Sequence, residues 1–423
     1  MRTWLAALPL LSLAACGGGG GTGPETVGSV PPPTAGTGTP TPTDIYSQFA
    51  QPVEAKTYAA IGGQQVHEYL TDERVVVGQQ GATYAGTAST VRNSAISVSY
   101  DPRDAIFILK VTDPNSGAAT STRFQDPVAR TDFGGAREPQ WGVPDLAGLA
   151  PGTPANANIQ FLQSGDGDLL SPFDGTGTGY IDRGDNTNPP IGGPDSSIAR
   201  TTLFVEKPGS TTKYVTLAGY VRNQQSFSTE EVGFTIKWHL ERGAFAYGAQ
   251  TGNSAVPTSG TGSYAGSMLG TMVYNPTFDE AELPTYFQWL SGTSAVSVDF
   301  GSGKVRLALA GTVLAPQIDR LTTPTTSYLP AGSTFAASGS AIVDLVNTGG
   351  FKGSFVGGSF TFTAPTGSSF ADGTTSASVN VIGSSIDGAF FGPKAEEVGG
   401  GFRVVGGVPD QRVDIIGAFT GKK

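Results

Sequence analysis

The sequence contains one cysteine and two histidines among 423 residues. A single thiol, Cys16, cannot form a disulfide within the chain. Two histidines exclude a histidine-rich metal site, and they leave only His67 and His239 as candidate bases for a catalytic triad. These absences exclude a histidine-rich metal centre and restrict any catalytic triad to one of these two histidines.

Motifs for enzymatic chemistry are also lacking. No GxSxG, Walker or dinucleotide-binding fingerprint occurs in a strand–turn–helix context. His239 lies on the polar side of an alternating segment, a position typical of a surface histidine. His67, Tyr69 and Tyr180 are residue types that can ligate haem iron, but no further pattern supports that role. We therefore predict that the protein is not an enzyme and carries no cofactor.

One acidic cluster is reminiscent of a calcium site. It lies in the segment SGDGDLLSPFDG and contains Asp166, Asp168 and Asp174. The spacing of these carboxylates does not match an EF-hand loop, and solvated loop acids are the favoured interpretation. The sequence predicts no metal site.

Charge is scarce and its balance is negative. Only 14% of residues are charged, and the formal net charge is −10. A nucleic-acid-binding protein needs a basic face, and a polybasic membrane patch needs clustered lysine and arginine. The composition therefore argues against both kinds of partner.

The first residues have the pattern of a bacterial lipoprotein signal. Residues 1–15 combine a positive start, a short apolar run and small residues that lead directly to Cys16. The apolar run is too short for a permanent transmembrane helix. We predict that the signal is removed and that Cys16 carries several acyl chains, such as palmitate, in the lipid bilayer. Gly17, where aspartate would favour inner-membrane retention, indicates an outer-membrane, cell-surface location.

A segment rich in Gly, Pro and Thr follows the anchor. Residues 16–43 contain almost no apolar side chains and show no periodicity. Such a segment cannot bury enough surface to offset its ordering entropy. We predict a flexible to semi-extended tether that holds the folded body away from the membrane.

The rest of the chain has an all-β composition. The sequence contains 61 Gly and 29 Pro, and Val, Ile, Thr, Phe and Tyr supply most of its pattern. Residues 44–252 show short alternating runs, which predict a β-sheet domain. Between Gln125 and Ala199 the alternation of apolar and polar residues is lost, so we predict a long loop that is either functional or disordered. The predicted strands of this part are Val75–Val77, Ala95–Tyr100, Ala105–Val111, Leu203–Glu206, Tyr214–Val221 and Val232–Leu240.

Residues 253–423 show about eight closely spaced strand patterns. Alternation places Val305, Leu307 and Leu309 on one side of their strand and Arg306 and Ala308 on the other, as expected around one filled core. A small eight-stranded antiparallel barrel fits this pattern and leaves no free strand edges. Pro284 interrupts the segment 277–290, which we interpret as a loop or a single turn.

The most specific string is GAFFGPKAEEVGGGF, from Gly388 to Phe402. Phe391 ends a predicted strand, because Gly392 and Pro393 stop the ladder. Glu396 and Glu397 can accept bonds from loop amides, and Gly399 and Gly400 would let the backbone re-enter through unusual conformations. Ligand or metal contacts by the two glutamates are the alternative, but a lone carboxylate pair lacks the other ligands that a hard cation needs. We favour a structural role for the motif.

This string, with GAFTGKK at the chain end, resembles the closing hairpin of the barrel of transferrin-binding protein B and its relatives, a family of bacterial surface lipoproteins. GSYAG at 262–266, VDFG at 298–301 and GFKG at 350–353 are similar to earlier strands of that barrel. The resemblance implies one lobe, in which a handle β-sheet domain is followed by the small barrel. Transferrin-binding protein B has two such lobes, and this chain has room for one.

The resemblance also implies a function. Relatives of this class capture a ligand, such as an iron- or haem-carrying protein, haem or another nutrient, and present it to a TonB-dependent transporter. A structural, adhesive or immune-factor-binding surface lipoprotein is the alternative, and a cell-envelope hydrolase using His67 or His239 is a third hypothesis. Exposed loop aromatics are suited to binding a partner, and Trp141, Phe173 and Tyr180 are the candidates.

Overall fold

The structure is a computed structural model of the chain. It describes residues 55–72, 96–101, 106–112, 117–125, 159–165, 197–206, 211–229, 234–275, 287–317, 328–406 and 412–423. Within these ranges the regular elements are β-strands, accompanied by one 3₁₀ turn at Asn253–Ala255. Among the same residues, no helix is long and apolar enough to cross a membrane.

The first half of the described chain forms two antiparallel sheets. The four-stranded sheet has the order β1–β3–β4–β5, and the five-stranded sheet has the order β2–β9–β8–β7–β6. These strands span Lys56–Ala59 (β1), Ile61–Asp72 (β2), Ile96–Asp101 (β3), Ile106–Thr112 (β4), Ala119–Gln125 (β5), Ile159–Gly165 (β6), Ser197–Glu206 (β7), Val215–Thr229 (β8) and Phe234–Gly248 (β9).

The second half forms a closed barrel of eight antiparallel strands. Neighbours follow the order β13–β12–β11–β10–β18–β17–β16–β14, and pairing of β13 with β14 closes the ring. Short strand β15 adds to β14 outside the ring. The strands span Thr261–Asn275 (β10), Phe287–Asp299 (β11), Lys304–Gln317 (β12), Thr334–Asp344 (β13), Gly350–Thr363 (β14), Ser376–Ser378 (β15), Val381–Phe391 (β16), Glu397–Gly406 (β17) and Arg412–Lys422 (β18).

The barrel has the filled core that the alternation predicted. Val305, Leu307 and Leu309 are buried, whereas Arg306 and Ala308 are exposed. The core is rich in phenylalanine, and Phe335 stacks on Phe360 with ring centroids 5.7 Å apart. The all-β fold and the eight-stranded barrel are therefore confirmed.

The molecule has three layers, and the five-stranded sheet is the middle one. One face of this sheet packs on the four-stranded sheet through residues such as Phe245 and Tyr247. Its other face packs on the outside of the barrel, where Ala244 and Ala246 join a cluster that contains Trp289. Because both faces are buried, the segment RGAFAYG reads as an almost continuous apolar run.

A buried glutamine also joins the middle sheet to the barrel. Gln65 lies on β2 and is completely buried. Its amide nitrogen donates to the main-chain oxygen of Asp414 at 2.8 Å, and its amide oxygen accepts from the Thr271 hydroxyl at 3.0 Å. Burial of this polar group is tolerated because each end of the amide has a partner from the barrel.

Several predicted element boundaries were wrong. The segment from Gln125 to Ala199 is not one uninterrupted loop, because β6 lies within it and β7 begins before its end. Strand β11 begins at Phe287, so the predicted loop at 277–290 includes its first residues. Pairing with neighbouring strands extends these elements through residues whose local pattern is weak. The predicted strand at Val75–Val77 lies outside the described residues.

Candidate functional site

The string Gly388–Phe402 forms the hairpin of β16 and β17, where the barrel meets the five-stranded sheet. Phe391 pairs with Glu397, and Gly388 pairs with Gly400. Phe390 points into the barrel core, whereas Phe391 and Ala389 pack in the cluster shared with the five-stranded sheet. Both faces of this hairpin are therefore buried, one against each layer.

The turn of the hairpin requires a glycine at its start. Gly392 has φ +86°, in the left-handed region that L side chains rarely adopt. A Cβ there would also lie 2.7 Å from the ring of Tyr214. The Gly392 amide donates to the carbonyl oxygen of Ala249 at 3.0 Å, so the turn itself contacts the link between sheet and barrel. Pro393 follows in the turn and is half-buried.

Glu396 organises this turn from within. Its carboxylate accepts a bond of 2.7 Å from the main-chain amide of Lys394, and its side chain is half-exposed. Tyr264 donates its hydroxyl to the carbonyl oxygen of Ala395, at 2.9 Å. Burial and the nearby charge of Glu396 raise the pKa of Tyr264, so the phenol stays protonated as a donor.

Glu397 connects the barrel to the five-stranded sheet. Only 4% of its surface is exposed, although it carries a carboxylate. Its two oxygens accept three main-chain N–H groups: Lys213 at 2.6 Å, Tyr214 at 2.7 Å and Val215 at 3.0 Å. These consecutive amides lead into β8, which begins at Val215, so one barrel side chain holds the beginning of a strand in the neighbouring layer.

Burial raises the pKa of Glu397, and the three amide donors oppose that rise, as does the nearby charge of Lys422. Both carboxylate oxygens are occupied by amide donors. A cation would have to displace these bonds, and no group of three or more acidic, histidine or cysteine side chains that could hold a metal occurs in the described part of the chain. The geometry supports a mechanical role for Glu397 at the junction of the two layers.

The glycines after Glu397 have a different role from the predicted one. Gly399 and Gly400 lie inside β17 and are not among the residues with positive φ, so unusual backbone conformations do not explain them. A Cβ on Gly399 would lie 2.6 Å from a methyl carbon of Val215, and one on Gly400 would lie 2.2 Å from the carbonyl oxygen of Asp387. The glycines therefore allow close approach between strands and between layers.

Gly388 shows the same effect within the barrel. A Cβ on this residue would lie 2.1 Å from the ring of Phe351, which is completely buried. The ring of Phe351 makes an edge contact with Phe390, at a centroid distance of 5.6 Å. The absence of a side chain at Gly388 thus makes room for an aromatic ring of the core.

A second polar cluster lies between the four-stranded and five-stranded sheets. Glu241 accepts from or pairs with three side chains: His239 at 2.7 Å, the Tyr220 hydroxyl at 3.3 Å and Arg222 at 3.6 Å. Arg222 also donates to the Thr120 hydroxyl at 2.7 Å, and this bond joins the two sheets. Burial and the charge of Glu241 raise the pKa of Tyr220 well above its ordinary value. His239 is therefore part of a structural network.

Residues 256–423 match a protein-family model described as the C-lobe and N-lobe beta barrels of Tf-binding protein B. The match begins just before β10 and covers every strand of the barrel. The barrel is therefore similar to the transferrin-binding protein B barrels. The resemblance predicted from the string Gly388–Phe402 is thereby confirmed. The structure of this barrel explains most of the residues in that string by packing.

Solved structures of transferrin-binding protein B align with most of the chain at low identity. A double mutant of the protein from Haemophilus parasuis Hp5 is 12% identical, with 87% of this chain and 76% of that chain covered and a TM-score of 0.27. The isotype 1 protein from serogroup B Neisseria meningitidis is 12% identical, with the same coverage and a TM-score of 0.25. The likeness to the family therefore rests on the family-model match of the barrel. No curated protein sequence matches the chain significantly.

Most of the predicted ligand contacts lie outside the described residues. This applies to the anchor Cys16, to the aromatic candidates Trp141, Phe173 and Tyr180, and to the acidic cluster at 166–174. His67 and Tyr69 lie on β2, but their side chains are also outside the description. The polar contacts made by Gln65, Arg222 and Glu241 were not predicted from the sequence. The available signal was the presence of polar residues within predicted or apolar strand segments.

Proposed function

We propose that the protein is an outer-membrane surface lipoprotein that captures a ligand for delivery to a TonB-dependent transporter. The candidate ligands are an iron- or haem-carrying protein, haem itself or another nutrient. The observation that carries this proposal is the match of the barrel to transferrin-binding protein B barrels. The signal pattern that ends at Cys16 supports the membrane anchor, and the scarcity of histidine supports a binding protein over an enzyme.

Deletion of the gene tests the nutrient role. We expect the deletion strain to grow poorly when iron, haem or another metal is limiting and normally in replete medium. Purification of the tagged lipoprotein from spent growth medium or host fluid, followed by mass spectrometry, would identify the ligand. Unimpaired growth under every limitation would contradict nutrient capture and would favour an adhesive or immune-factor-binding surface protein.

Replacing Cys16 with alanine should release the protein from the membrane. Without the Cys16 thiol no acyl chain can be attached, so the anchor is lost. Each methylene group of an acyl chain that is buried in the bilayer contributes about 0.8 kcal/mol to membrane binding. The measurement is the distribution of protein between membrane and soluble fractions, together with incorporation of radiolabelled palmitate. Cys16→Ala should remove the label, whereas Thr22→Ala in the tether should not. Retention of palmitate by Cys16→Ala would contradict the predicted anchor.

The aromatic residues Trp141 and Phe173 are the proposed ligand contacts. We expect the double substitution to alanine to weaken binding of the identified ligand by about tenfold or more, because loop aromatics supply interface area at low entropic cost. The melting temperature should stay nearly unchanged. Phe245→Ala is the contrasting variant, since this ring is completely buried between two sheets and its loss should lower the melting temperature. A large fall in melting temperature for Trp141→Ala and Phe173→Ala would show that they belong to the core.

A further inference from the structure

A groove crosses the outer wall of the barrel. It has a volume of about 780 Å³ and runs across β10, β11, β12 and β13. One end is bounded by Gly357 and Gly358 of β14, and the other by Lys422 and Lys423. The proposed capture function does not involve this wall of the barrel.

The floor of the groove is made by small outward-facing side chains. Inward residues of these strands, such as Tyr264, Val296 and Leu307, are buried in the core. The outward residues between them are exposed and small, and they supply methyl and hydroxyl groups: Ser263, Ala265, Ala295, Ser297, Ala308 and Ser340. Another chain could approach the wall closely at these positions.

An irregularity in the barrel builds one side of the groove. Ser338 pairs with Ser359 and Ser340 pairs with Ser354, so β14 carries residues 355–358 opposite the single residue Gly339. Within this excursion Gly357 has φ +78° and Val356 is 61% exposed. Bulges of this kind interrupt the hydrogen-bond pattern between two strands and change the direction of side chains. Here the bulge formed by residues 355–358 lies beside the groove floor.

The charge of the groove is opposite to that of the protein. The whole chain has 35 acidic and 25 basic residues, yet the described lining contains Arg306, Lys422 and Lys423 and no acidic side chain. Lys422 also lies near Glu397 and Lys423 over the ring of Tyr264, so Arg306 is the main free charge of the lining. Arg306 lies on β12, one of the two central strands of the floor, directly opposite Ser297 on β11. A cationic groove on an acidic body attracts a local negative charge while the remainder of the surface repels one.

We propose that this groove binds an acidic, extended segment of a partner protein. The methyl groups of the floor favour a peptide over a highly hydrated polyanion, and the serine hydroxyls can bond to its main chain. From β14 to β18 the groove crosses five strand spacings, or about 24 Å, which is the length of about seven extended residues. Each floor strand from β10 to β13 is paired on both sides, so binding uses the face of the wall and not a strand edge.

Peptide binding to the full mature lipoprotein in detergent micelles tests the proposal. The probe is a fluorescein-labelled eight-residue peptide of alternating glutamate and valine, followed by fluorescence anisotropy. Arg306→Glu should weaken binding by about tenfold or more through charge reversal. Ser297→Trp should weaken it similarly by filling the floor without changing charge. Lys110→Glu, which makes the same charge change on the four-stranded sheet, should leave binding unchanged.

The groove positions are exposed, so these variants should retain the circular dichroism spectrum and melting temperature of the parent. If Ser297→Trp fails to fold, Ser340→Trp blocks the same floor from β13. Absence of saturable peptide binding would overturn the proposal. So would equal weakening by Lys110→Glu, or tighter binding of inorganic polyphosphate than of the peptide. These outcomes do not depend on growth under nutrient limitation. The proposal for the groove and the proposed capture function can therefore be contradicted independently of each other.

Discussion

Replacing Glu397 with alanine is expected to lower the free energy of unfolding by about 3 kcal/mol at neutral pH. The substitution leaves the amides of Lys213, Tyr214 and Val215 without their acceptor at a buried junction. Each unsatisfied buried group costs about 1–3 kcal/mol, and water that enters the site would recover part of that loss. Urea unfolding followed by circular dichroism measures the change.

The adjacent Glu396 provides the matched control. It accepts one amide in a half-exposed turn, so Glu396→Ala should cost less than about 1 kcal/mol. The two variants have the same change in charge and composition. Equal losses of stability would show that the hydrogen bonds from Glu397 to the five-stranded sheet contribute no more to the free energy of unfolding than the single bond of Glu396.

The contribution of Glu397 should also depend on pH. Burial raises its pKa above the ordinary value of 4.5, so ionisation is less favourable in the folded state than in the unfolded chain. Stability from a raised pKa is fully present below the unfolded value and is lost as the pH rises through the folded value. The wild type should therefore lose stability relative to Glu397→Gln, which does not titrate, as the pH rises from 4.5. A constant difference across this range would contradict the raised pKa.

Replacing Gly400 with alanine should be the second strongly destabilising change, with a cost of about 3 kcal/mol or more. The new Cβ would lie 2.2 Å from the carbonyl oxygen of Asp387 and 2.7 Å from the Cα of Gly388. Both obstacles are main-chain atoms of the paired strand, so relief requires β16 and β17 to separate. The fall in melting temperature and in the urea midpoint measures this cost.

Gly383→Ala is the control for Gly400→Ala, because Gly383 lies on β16, the strand that pairs with β17, and loses the same backbone freedom. A Cβ on Gly383 would meet only the Cβ of Val405, at an ordinary contact distance of 3.9 Å. Its effect should stay within about 0.5 kcal/mol. If both alanines are tolerated equally, close strand approach does not explain the glycines of the hairpin.

The sequence was informative where a strand has one face in the core and one in solvent. Val305 and Leu307 alternate with Arg306 and Ala308, and the structure places them accordingly. In the middle sheet, where both faces are buried, the pattern predicted only parts of β7, β8 and β9 and missed β2 and β6. Strand β2 was not predicted, because its polar residues Gln64 and Gln65 are buried and find their partners far away in the sequence, such as Tyr220 and Thr271.

In the string Gly388–Phe402, too, the role of a residue depends on partners that lie far away in the sequence. Glu396 and Glu397 are identical residues next to each other, and no local pattern distinguishes their roles. One binds an amide two residues away, and the other binds amides more than 180 positions away. The glycines Gly399 and Gly400 were expected to have unusual backbone angles, whereas the close approach of neighbouring strands and of Val215 requires them.

The sequence by itself determined the all-β class, the eight-stranded barrel, its likeness to transferrin-binding protein B barrels and the exclusion of histidine-rich metal sites. These properties follow from residue type, from alternation along single strands and from one specific string, all of which are local. Only the tertiary structure decided that this string lies at the junction of two layers, that Glu397 holds the start of β8, and that three cations border one groove. Such properties depend on contacts between distant segments, which folding alone brings together.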